Sequence, residues 1–470
     1  MADDVETRYK DAVAKLNGLQ SNAKTIAEMR DKRQEMAALN MKETHFFLDA
    51  LGIDNDKLDS LRAIHVSGTK GKGTTCAYVE SILRHHGFRT GSPHLVHVRE
   101  RIRIDGHAIT KENFARRFFE VYEKVERAAK EHGMPMPAYF KFLTLMAFFH
   151  IHRGEGGRGS GRDTPWCAGS RTLDIDHTSL LGSTLKEIAW HKAGILKAGR
   201  PAFSVPQPPD VWEVFEKRAA ERATSIRECV PFGDRRWSDD VQNYVEERGR
   251  HHEFNIALAV QLTAEWLRDQ KRFDLTKEQA GGDSTAFSRV VERAILSTEW
   301  LGRNQVLKKE NIAYFLDGAH TPKSIQFCAE WFKRAIEKPQ QTAAPLRLLI
   351  FHCTADRDPM SLLPLLLDRV HFDRALFCPT RLLPVLDPRD DNTNLNQSQD
   401  EQWQKCLRTK AAWTSLTEKD TAETFACIND CVQRVHQLAE NNAEIQVLVT
   451  GSLHLVGGVL HFEEPDTCGD

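Results

Sequence analysis

The sequence lacks the features that mark several large classes of protein. No uninterrupted apolar run approaches the length of a membrane-spanning helix. Neither sign of charge is in excess, since 64 Lys and Arg residues face 66 Asp and Glu residues and the formal net charge is −2. This balance gives no indication of nucleic acid or an acidic membrane surface as a partner. The 10 cysteines include no CxxC pair, and most lie in apolar surroundings, so we expect reduced, buried thiols in an intracellular protein.

The N-terminus also lacks the pattern of a targeting signal. Asp3, Asp4 and Glu6 bring early negative charge, which argues against a secretory signal and against a mitochondrial transit peptide. We therefore expect a cytoplasmic chain, and the sequence leaves open whether a mitochondrial form also exists. With 470 residues, the chain is long enough for more than one domain.

The most distinctive segment present is residues 64–75, which read IHVSGTKGKGTT. This pattern predicts a short apolar strand, a glycine-rich turn and a helix over about 74–86. Such a turn directs backbone N–H groups and a helix N-terminus to one point and so attracts phosphate. Lys72 adds a positive charge, and the hydroxyl of Thr74 or Thr75 is placed to face a nucleotide-bound Mg²⁺.

The wording of this segment departs from the common phosphate-binding loop at two positions. Val66 stands where the first glycine belongs, and Gly73 replaces the Ser or Thr directly after the lysine. From these residues alone, nucleotide binding is favoured over a flexible turn without ligand.

The later half of the chain alternates predicted strands and helices. Strands are expected at 312–316, 346–352, 375–378 and 445–450, with a helix over 322–336 and others between them. This alternation is typical of a mostly parallel sheet covered by helices. The earlier half adds helical stretches at 6–50 and 111–131 and a long apolar helix at 139–151. We expect a surface loop at 387–402 and a domain boundary near 297–303.

Several motifs then occur in a fixed order. They are GTKGKGT at 68–74, SPHLVHVRERI at 92–102, DHTSLLG at 176–182, IAWHKAGI at 188–195, TEWLGR at 298–303, DGAHT at 317–321 and TGSLHLVGG at 450–458. In their order, spacing and amino-acid identity, these motifs resemble those of the folylpolyglutamate synthases of animal type, which belong with the Mur ligases. The resemblance implies an α/β fold with mostly parallel sheets: a P-loop, Mur-ligase-like domain over 1–297 and a Rossmann-like domain over 298–470.

The resemblance also implies an activity. This family joins L-glutamate to the γ-carboxyl of a folate or tetrahydrofolate, and ATP activates that carboxyl as an acyl phosphate. ATP and Mg²⁺ are the implied cofactors, and a monovalent cation such as K⁺ is a further candidate. A monomer is expected. Dihydrofolate synthase is the alternative enzyme, although the DGAHT wording favours polyglutamylation. A non-catalytic nucleotide- or folate-binding relative is the alternative from a different class.

Site residues follow from the resemblance, position by position. The implied catalytic residues are Lys72, His177 and Lys192. The implied nucleotide contacts are Gly68, Thr69, Gly71, Lys72, Gly73, Thr74, Asn255, Arg303, Asp317 and His320. The implied metal ligands are Thr74, Ser92, His177, Lys192 as a carbamate, and Glu155. Without the resemblance, Ser92 would be taken for a helix N-cap, His177 for a surface residue and Lys192 for a solvated helix lysine.

One departure from the family pattern is large. The family has a strand ending in E-x-G-x-G-G-x-x-D-x-T-N between the apolar helix and the DHT motif, and its glutamate binds metal. Here residues 153–171 contain six glycines and four arginines instead, which predicts a loop and leaves a gap in the central sheet. Glu155, which is followed by two glycines, is a weak match to the start of this motif. Either the gene model is in error here or the metal site is impaired, and the intact motifs on both flanks favour the first.

Overall fold

A computed structural model describes most of the chain. The described residues are 2–20, 33–92, 98–152, 167–171, 173, 181–270, 284–337, 345–353, 357–385, 387–391, 398–442 and 444–464. Within these ranges no helix is both long enough and apolar enough to cross a membrane.

The first 300 residues contribute seven short strands among the described residues. They are β1 Ile64–Ser67, β2 Gly91–Ser92, β3 Arg103–Ile104, β4 His107–Ala108, β5 Cys167–Ser170, β6 Ala202–Ser204 and β7 Ile226–Glu228. The helices here are α1 Ala2–Asn17, α2 Arg33–Ala50, α3 Asn55–Ser60, α4 Lys72–His85, α5 Lys111–Glu131, α6 Tyr139–His152, α7 Leu185–Lys192, α8 Pro209–Glu221, α9 Asp239–Arg248, α10 His251–Asp269 and α11 Ser284–Leu296.

The first sheet is parallel, with the order β1-β5-β6-β7. Helices α4 and α10 pack together against it, and their apolar side chains share one buried cluster with Phe203 and Val205. Gly169 of β5 lets α10 lie close, because a methyl group there would come within 2.7 Å of Leu262. The small side chains of β5 therefore determine how near the helical layer approaches the sheet.

The prediction of a loop over 153–171 is wrong for its last residues, because β5 pairs in parallel with β1 on one side and β6 on the other. The expected gap in the centre of the sheet is therefore absent among the described strands. Instead β1 forms the edge of the described sheet, with His65 exposed and Val66 only half-buried. Residues 153–166 lie outside the described ranges.

A separate helical layer is built from α1, α2, α5 and α6. The apolar stretch predicted at 139–151 is confirmed as a helix, and its Phe142, Leu145 and Phe149 are fully buried. They pack against Phe114 and Phe118 of α5 in one aromatic-rich cluster. Helix α5 has the bounds predicted from its periodicity and is capped by Thr110, whose hydroxyl accepts a hydrogen bond from a backbone N–H.

The described residues after 300 form a second sheet with helices on both faces. Its strands are β8 Gln305–Lys309, β9 Ile312–Leu316, β10 Leu346–Phe351, β11 Arg374–Phe377, β12 Ala422–Thr424 and β13 Ile445–Thr450. Its helices are α12 Pro322–Ile336, α13 Pro359–Leu367, α14 Gln399–Thr417, α15 Ile428–Ala439 and α16 Leu453–Glu463. The strand order is β12-β11-β10-β13-β9-β8, and only β8 at the edge is antiparallel.

Alternation along β9 shows why this sheet needs two helical layers. Phe315 points into the cluster formed with α12, α13 and α14, whereas Tyr314 and Leu316 point into the cluster formed with α15 and α16. Successive side chains of a strand face opposite sides, so a strand that is apolar throughout must be covered on both. The predicted mostly parallel, helix-covered sheet is confirmed.

The surface loop predicted over 387–402 is wrong at its end, because α14 begins at Gln399 with Ser398 as its N-cap. The start of this loop contacts the N-terminal helical layer. The hydroxyl of Tyr9 donates to Asp391 Oδ1 at 2.6 Å, and the backbone N–H of Val98 donates to the same oxygen at 2.9 Å. Burial and the Asp391 charge raise the pKa of Tyr9 well above its usual value. One carboxylate therefore links the two halves of the molecule.

We predict that Asp391→Ala lowers the free energy of unfolding by about 1–3 kcal/mol, because the Tyr9 hydroxyl is left buried without its acceptor. Urea unfolding measures this change. Asp387→Ala is the matched control in the same loop, because Asp387 is exposed and its carboxylate accepts a hydrogen bond from the backbone N–H of Arg389, two residues along the chain. Equal unfolding midpoints for the two variants would show that Asp391 does not hold the halves together.

Candidate active site

The centre of the site is the turn between β1 and α4, which we call the phosphate turn (residues 68–74). Helix α4 begins at Lys72, two residues before its predicted start, and Gly71 is its N-cap with a left-handed φ of 78°. Gly68 also has a positive φ of 138°. Both conformations favour glycine. They leave the first N–H groups of α4 open to an anion in front of the turn.

Gly73 explains one departure from the common phosphate-binding loop. A methyl group at this position would come within 2.7 Å of the Trp300 indole, which is closer than carbon atoms approach in ordinary contact. The Ser or Thr usual after the lysine therefore has no room here. Trp300 belongs to the TEWLGR motif, so the two motifs are in direct contact.

Two lysines converge on the phosphate turn. The Lys72 ammonium donates to the carbonyl oxygens of Gly68 at 2.8 Å and Thr69 at 3.1 Å. Lys192, at the end of α7, donates to the same Gly68 oxygen at 3.0 Å. The structure thus brings together two of the residues that the resemblance implies, although they are 120 positions apart in the chain.

The second half of the chain contributes His320. Its Nε2 lies 2.9 Å from the Lys70 ammonium, and its Nδ1 lies 2.8 Å from the Gly318 carbonyl. An ammonium only donates, so Nε2 accepts and Nδ1 carries the proton of a neutral ring. Burial and the Lys70 charge lower the pKa of His320 to about 4, which agrees with this tautomer. His320 therefore connects the phosphate turn to the second sheet as a neutral group.

Asp317 lies at the carboxyl end of β9, where open parallel sheets bind ligands. Its carboxylate accepts hydrogen bonds from the backbone N–H of Asn304 at 3.0 Å and of Ala319 at 2.9 Å. Burial raises its pKa, and the Arg303 charge opposes that rise. The Arg303 charge thus acts on the Asp317 carboxylate at the start of the DGAHT turn.

A cleft of about 690 Å³ opens beside the turn, lined by Thr74 and Tyr78 of α4 on one side and by side chains of the 298–307 segment other than Gly302 on the other. His252 on its wall lies 2.8 Å from the Tyr78 hydroxyl and 3.5 Å from the Asn304 side chain. Burial lowers the pKa of His252 well below its usual value. Asn255 is buried beneath the turn, where its Oδ1 accepts from the Thr75 hydroxyl at 3.3 Å. The contact between Asn255 and adenine stays a prediction.

Three predicted metal ligands cannot be placed. His177 and Glu155 lie outside the described residues, and only the backbone of Ser92 is described, in β2. In the part of the chain that the structure describes, no three His, Cys, Asp or Glu side chains come together as a metal site would require.

Sequence reasoning missed Arg171, which it placed in a loop. This residue directly follows β5, its side chain is 4% exposed, and it lies against Gly71 of the phosphate turn. No local signal in the sequence marks it, because the contact joins segments 100 residues apart. The contact of Trp300 with the turn was also missed. The glycine that replaces Ser or Thr after Lys72 could have indicated that a bulky side chain packs against this position.

Comparisons with known proteins show the family of the chain. Residues 301–462 match the family model described as "Dihydrofolate synthetase, C-terminal domain". The chain is 41% identical to a Caenorhabditis elegans protein named "Putative folylpolyglutamate synthase", over 97% of this chain and 92% of the relative. It is 34% identical to the Homo sapiens "Folylpolyglutamate synthase, mitochondrial", over 97% of this chain and 92% of the relative.

Solved structures give the same fold. A Mycobacterium tuberculosis folylpolyglutamate synthase, determined with ADP and AMPPCP, superposes with a TM-score of 0.67 at 18% identity, covering 90% of this chain and 95% of the other. A structure described as a complex of this enzyme type with AMPPCP and folate gives a TM-score of 0.62 at 20% identity, over 97% and 99% of the two chains.

The contact between Gly73 and Trp300 leads to a double-mutant prediction. We expect Gly73→Ala to destabilise the protein by roughly 1–3 kcal/mol through overpacking. In a Trp300→Ala background the same change should be neutral or stabilising, because alanine is the better helix former. Urea unfolding of the four proteins measures the coupling.

Gly194→Ala serves as the control, since a methyl group there meets no atom within 4 Å. An identical cost of Gly73→Ala with and without the indole would contradict the packing account.

Proposed function

The chain belongs to the folylpolyglutamate synthase family, and from that premise we propose that it uses ATP to add L-glutamate to the γ-carboxyl of a folate or tetrahydrofolate. The observation that carries the proposal is the convergence of Lys72, Lys192 and His320 on a glycine-rich helix N-terminus. These groups come from three separate segments of the chain.

Charge supports the nucleotide half of the proposal. Lys70, Lys72 and Lys192 lie at the turn, and Arg303 lies in the wall of the neighbouring cleft. A triphosphate brings the negative charge that these cations and the N–H groups of α4 would stabilise. The 690 Å³ cleft leads away from Thr74, and its volume is within the range of small-molecule sites. We assign it to the nucleoside part of ATP.

The reaction needs positioning and electrostatic stabilisation more than covalent catalysis. The folate γ-carboxylate takes the terminal phosphoryl group of ATP and releases ADP. The amino group of glutamate then attacks the acyl phosphate, phosphate leaves, and the amide nitrogen loses its extra proton to solvent. In this scheme Lys72 would follow the transferred phosphoryl group, exchanging its bonds to Gly68 and Thr69 for phosphate oxygens.

The phosphate turn offers part of a Mg²⁺ site. The Thr74 hydroxyl at the start of α4 is a suitable oxygen ligand, and nucleotide-bound Mg²⁺ keeps several waters and needs few protein ligands. When bound, the ion neutralises phosphate charge. Ser92, His177, Glu155 and a carbamate on Lys192 remain proposed ligands on the strength of the family resemblance.

We also propose domains at 1–297 and 298–470, with ATP binding between them. Trp300 against Gly73 and His320 against Lys70 support this arrangement, because each contact pairs the two parts. A monomer and a cytoplasmic location remain proposals. Some relatives carry "mitochondrial" in their names.

Two alternatives stay open to experiment. Dihydrofolate synthase is supported by the description of the matching C-terminal family model. A nucleotide-binding relative without activity is supported by the absent E-x-G-x-G-G-x-x-D-x-T-N segment. Assays with radiolabelled glutamate separate the three, using tetrahydrofolate or dihydropteroate as acceptor. ATP binding without a glutamylated product from either acceptor would identify the inactive relative.

We predict that Lys72→Ala lowers the rate of glutamate incorporation at least ~100-fold, because a donor that stabilises the transferred phosphoryl group is lost. Lys186→Ala, a surface lysine on α7 paired with Glu213, is the control and should leave the rate unchanged. Near-normal turnover of Lys72→Ala, with wild-type activity established in the same assay, would contradict the assignment of the phosphate turn.

A further inference from the structure

Arg171 is a buried cation beside the phosphate turn that the family motifs do not account for. Its backbone N–H donates to the Ser67 carbonyl at 2.9 Å and so continues the pairing of β5 with β1 up to the start of the turn. Its side chain is 4% exposed. We propose that Arg171 binds a phosphate oxygen of the nucleotide. This inference rests on the proposed function and adds a binding residue to its site.

Two of the three guanidinium nitrogens lack hydrogen-bond partners among the described residues. Neither Nε nor Nη1 has a hydrogen-bond partner, although both atoms are buried. The described groups near it are the Phe254 ring at 5.8 Å and the side chains of His251, Asn255 and Cys229, none of which is a carboxylate. Burial lowers the pKa of Arg171 to about 10, so the group is still charged at neutral pH.

Arg117 shows what the protein does with a buried arginine that has a structural role. It is also nearly inaccessible, at 5% exposure, but its Nη1 donates to Glu120 at 2.9 Å. A buried charge without a counter-ion is costly. No described carboxylate has the corresponding place beside Arg171, and we infer that a ligand supplies its counter-ion.

The position of the guanidinium identifies the class of ligand. A methyl group on Gly71 would come within 2.6 Å of Arg171 Nε and 2.8 Å of Nη2, so the planar fork lies in contact with the N-cap of α4. A phosphate at that helix N-terminus would meet the N–H groups of the turn and the two donors of the fork together. Arginine is well suited to such bidentate contacts with phosphate.

Isothermal titration of the full chain with AMPPCP, ADP and adenosine tests the inference. In Arg171→Met we expect AMPPCP to bind roughly 10- to 100-fold more weakly, the range for hydrogen bonds to charged groups, with adenosine affinity unchanged. Arg171→Lys keeps the positive charge but not the planar fork of donors, so its affinity for AMPPCP should lie between those of the wild type and of Arg171→Met. If Arg171→Met does not fold, the AMPPCP affinity of Arg171→Lys still tests the inference.

Thermal unfolding without ligand distinguishes binding from a structural role. Arg171→Met should unfold at the same or a higher temperature than wild type, because an unpaired buried charge is removed. Arg117→Met is the matched control and should unfold at a lower temperature, with AMPPCP affinity unchanged.

Unchanged AMPPCP affinity in Arg171→Met, or a parallel loss of adenosine binding, would overturn the inference. So would a fall in unfolding temperature like that of Arg117→Met. A wild-type protein that binds neither AMPPCP nor ADP would overturn the proposed function, and the inference with it.

Discussion

The crowding around the phosphate turn is the constraint on which the rest of this molecule depends. Four segments touch a loop of seven residues: α10 through Asn255, the end of β5 through Arg171, α7 through Lys192, and the second half of the chain through Trp300 and His320. Each glycine of the turn meets a side chain or adopts a left-handed conformation. Close approach of this kind leaves no room for Cβ atoms.

This crowding also explains how the halves of the chain are coupled. Trp300 lies against the helix start, and the Lys70–His320 pair is a second contact between the turn and the later half of the chain. The Tyr9–Asp391 bond, whose two residues do not line the cleft, joins the same two halves. An anion that binds at the turn would therefore contact groups held in place by both sheets, which is the arrangement that positioning catalysis requires.

The sequence predicts those elements whose signal is local. Helices α5 and α12 and strands β9 and β13 have the bounds expected from their periodicity and their apolar runs. Strand β5 was missed because Ala168, Gly169 and Ser170 have neither branched nor aromatic side chains. Its place is determined by pairing on both edges, which a local pattern does not encode.

The candidate site likewise contains residues that local motifs identify and residues that only long-range packing brings together. Lys72, Asp317 and the glycines could be selected from the motifs as candidates, and the structure places Lys192 and His320 beside the turn, while their roles stay predictions. The contacts of Arg171 and Trp300 are long-range packing events that depend on the sheet order and on how the halves dock. The placement of Asn255 beneath the turn is of the same kind.

A crystal structure of the full chain with AMPPCP and Mg²⁺ tests the central claim most directly. The account predicts the β- and γ-phosphates against the N–H groups at the start of α4, Lys72 on a phosphate oxygen, and the nucleoside in the cleft lined by residues 298–307. Phosphates bound away from the turn, or a turn whose N–H groups face no phosphate in a crystal that contains the nucleotide, would contradict it.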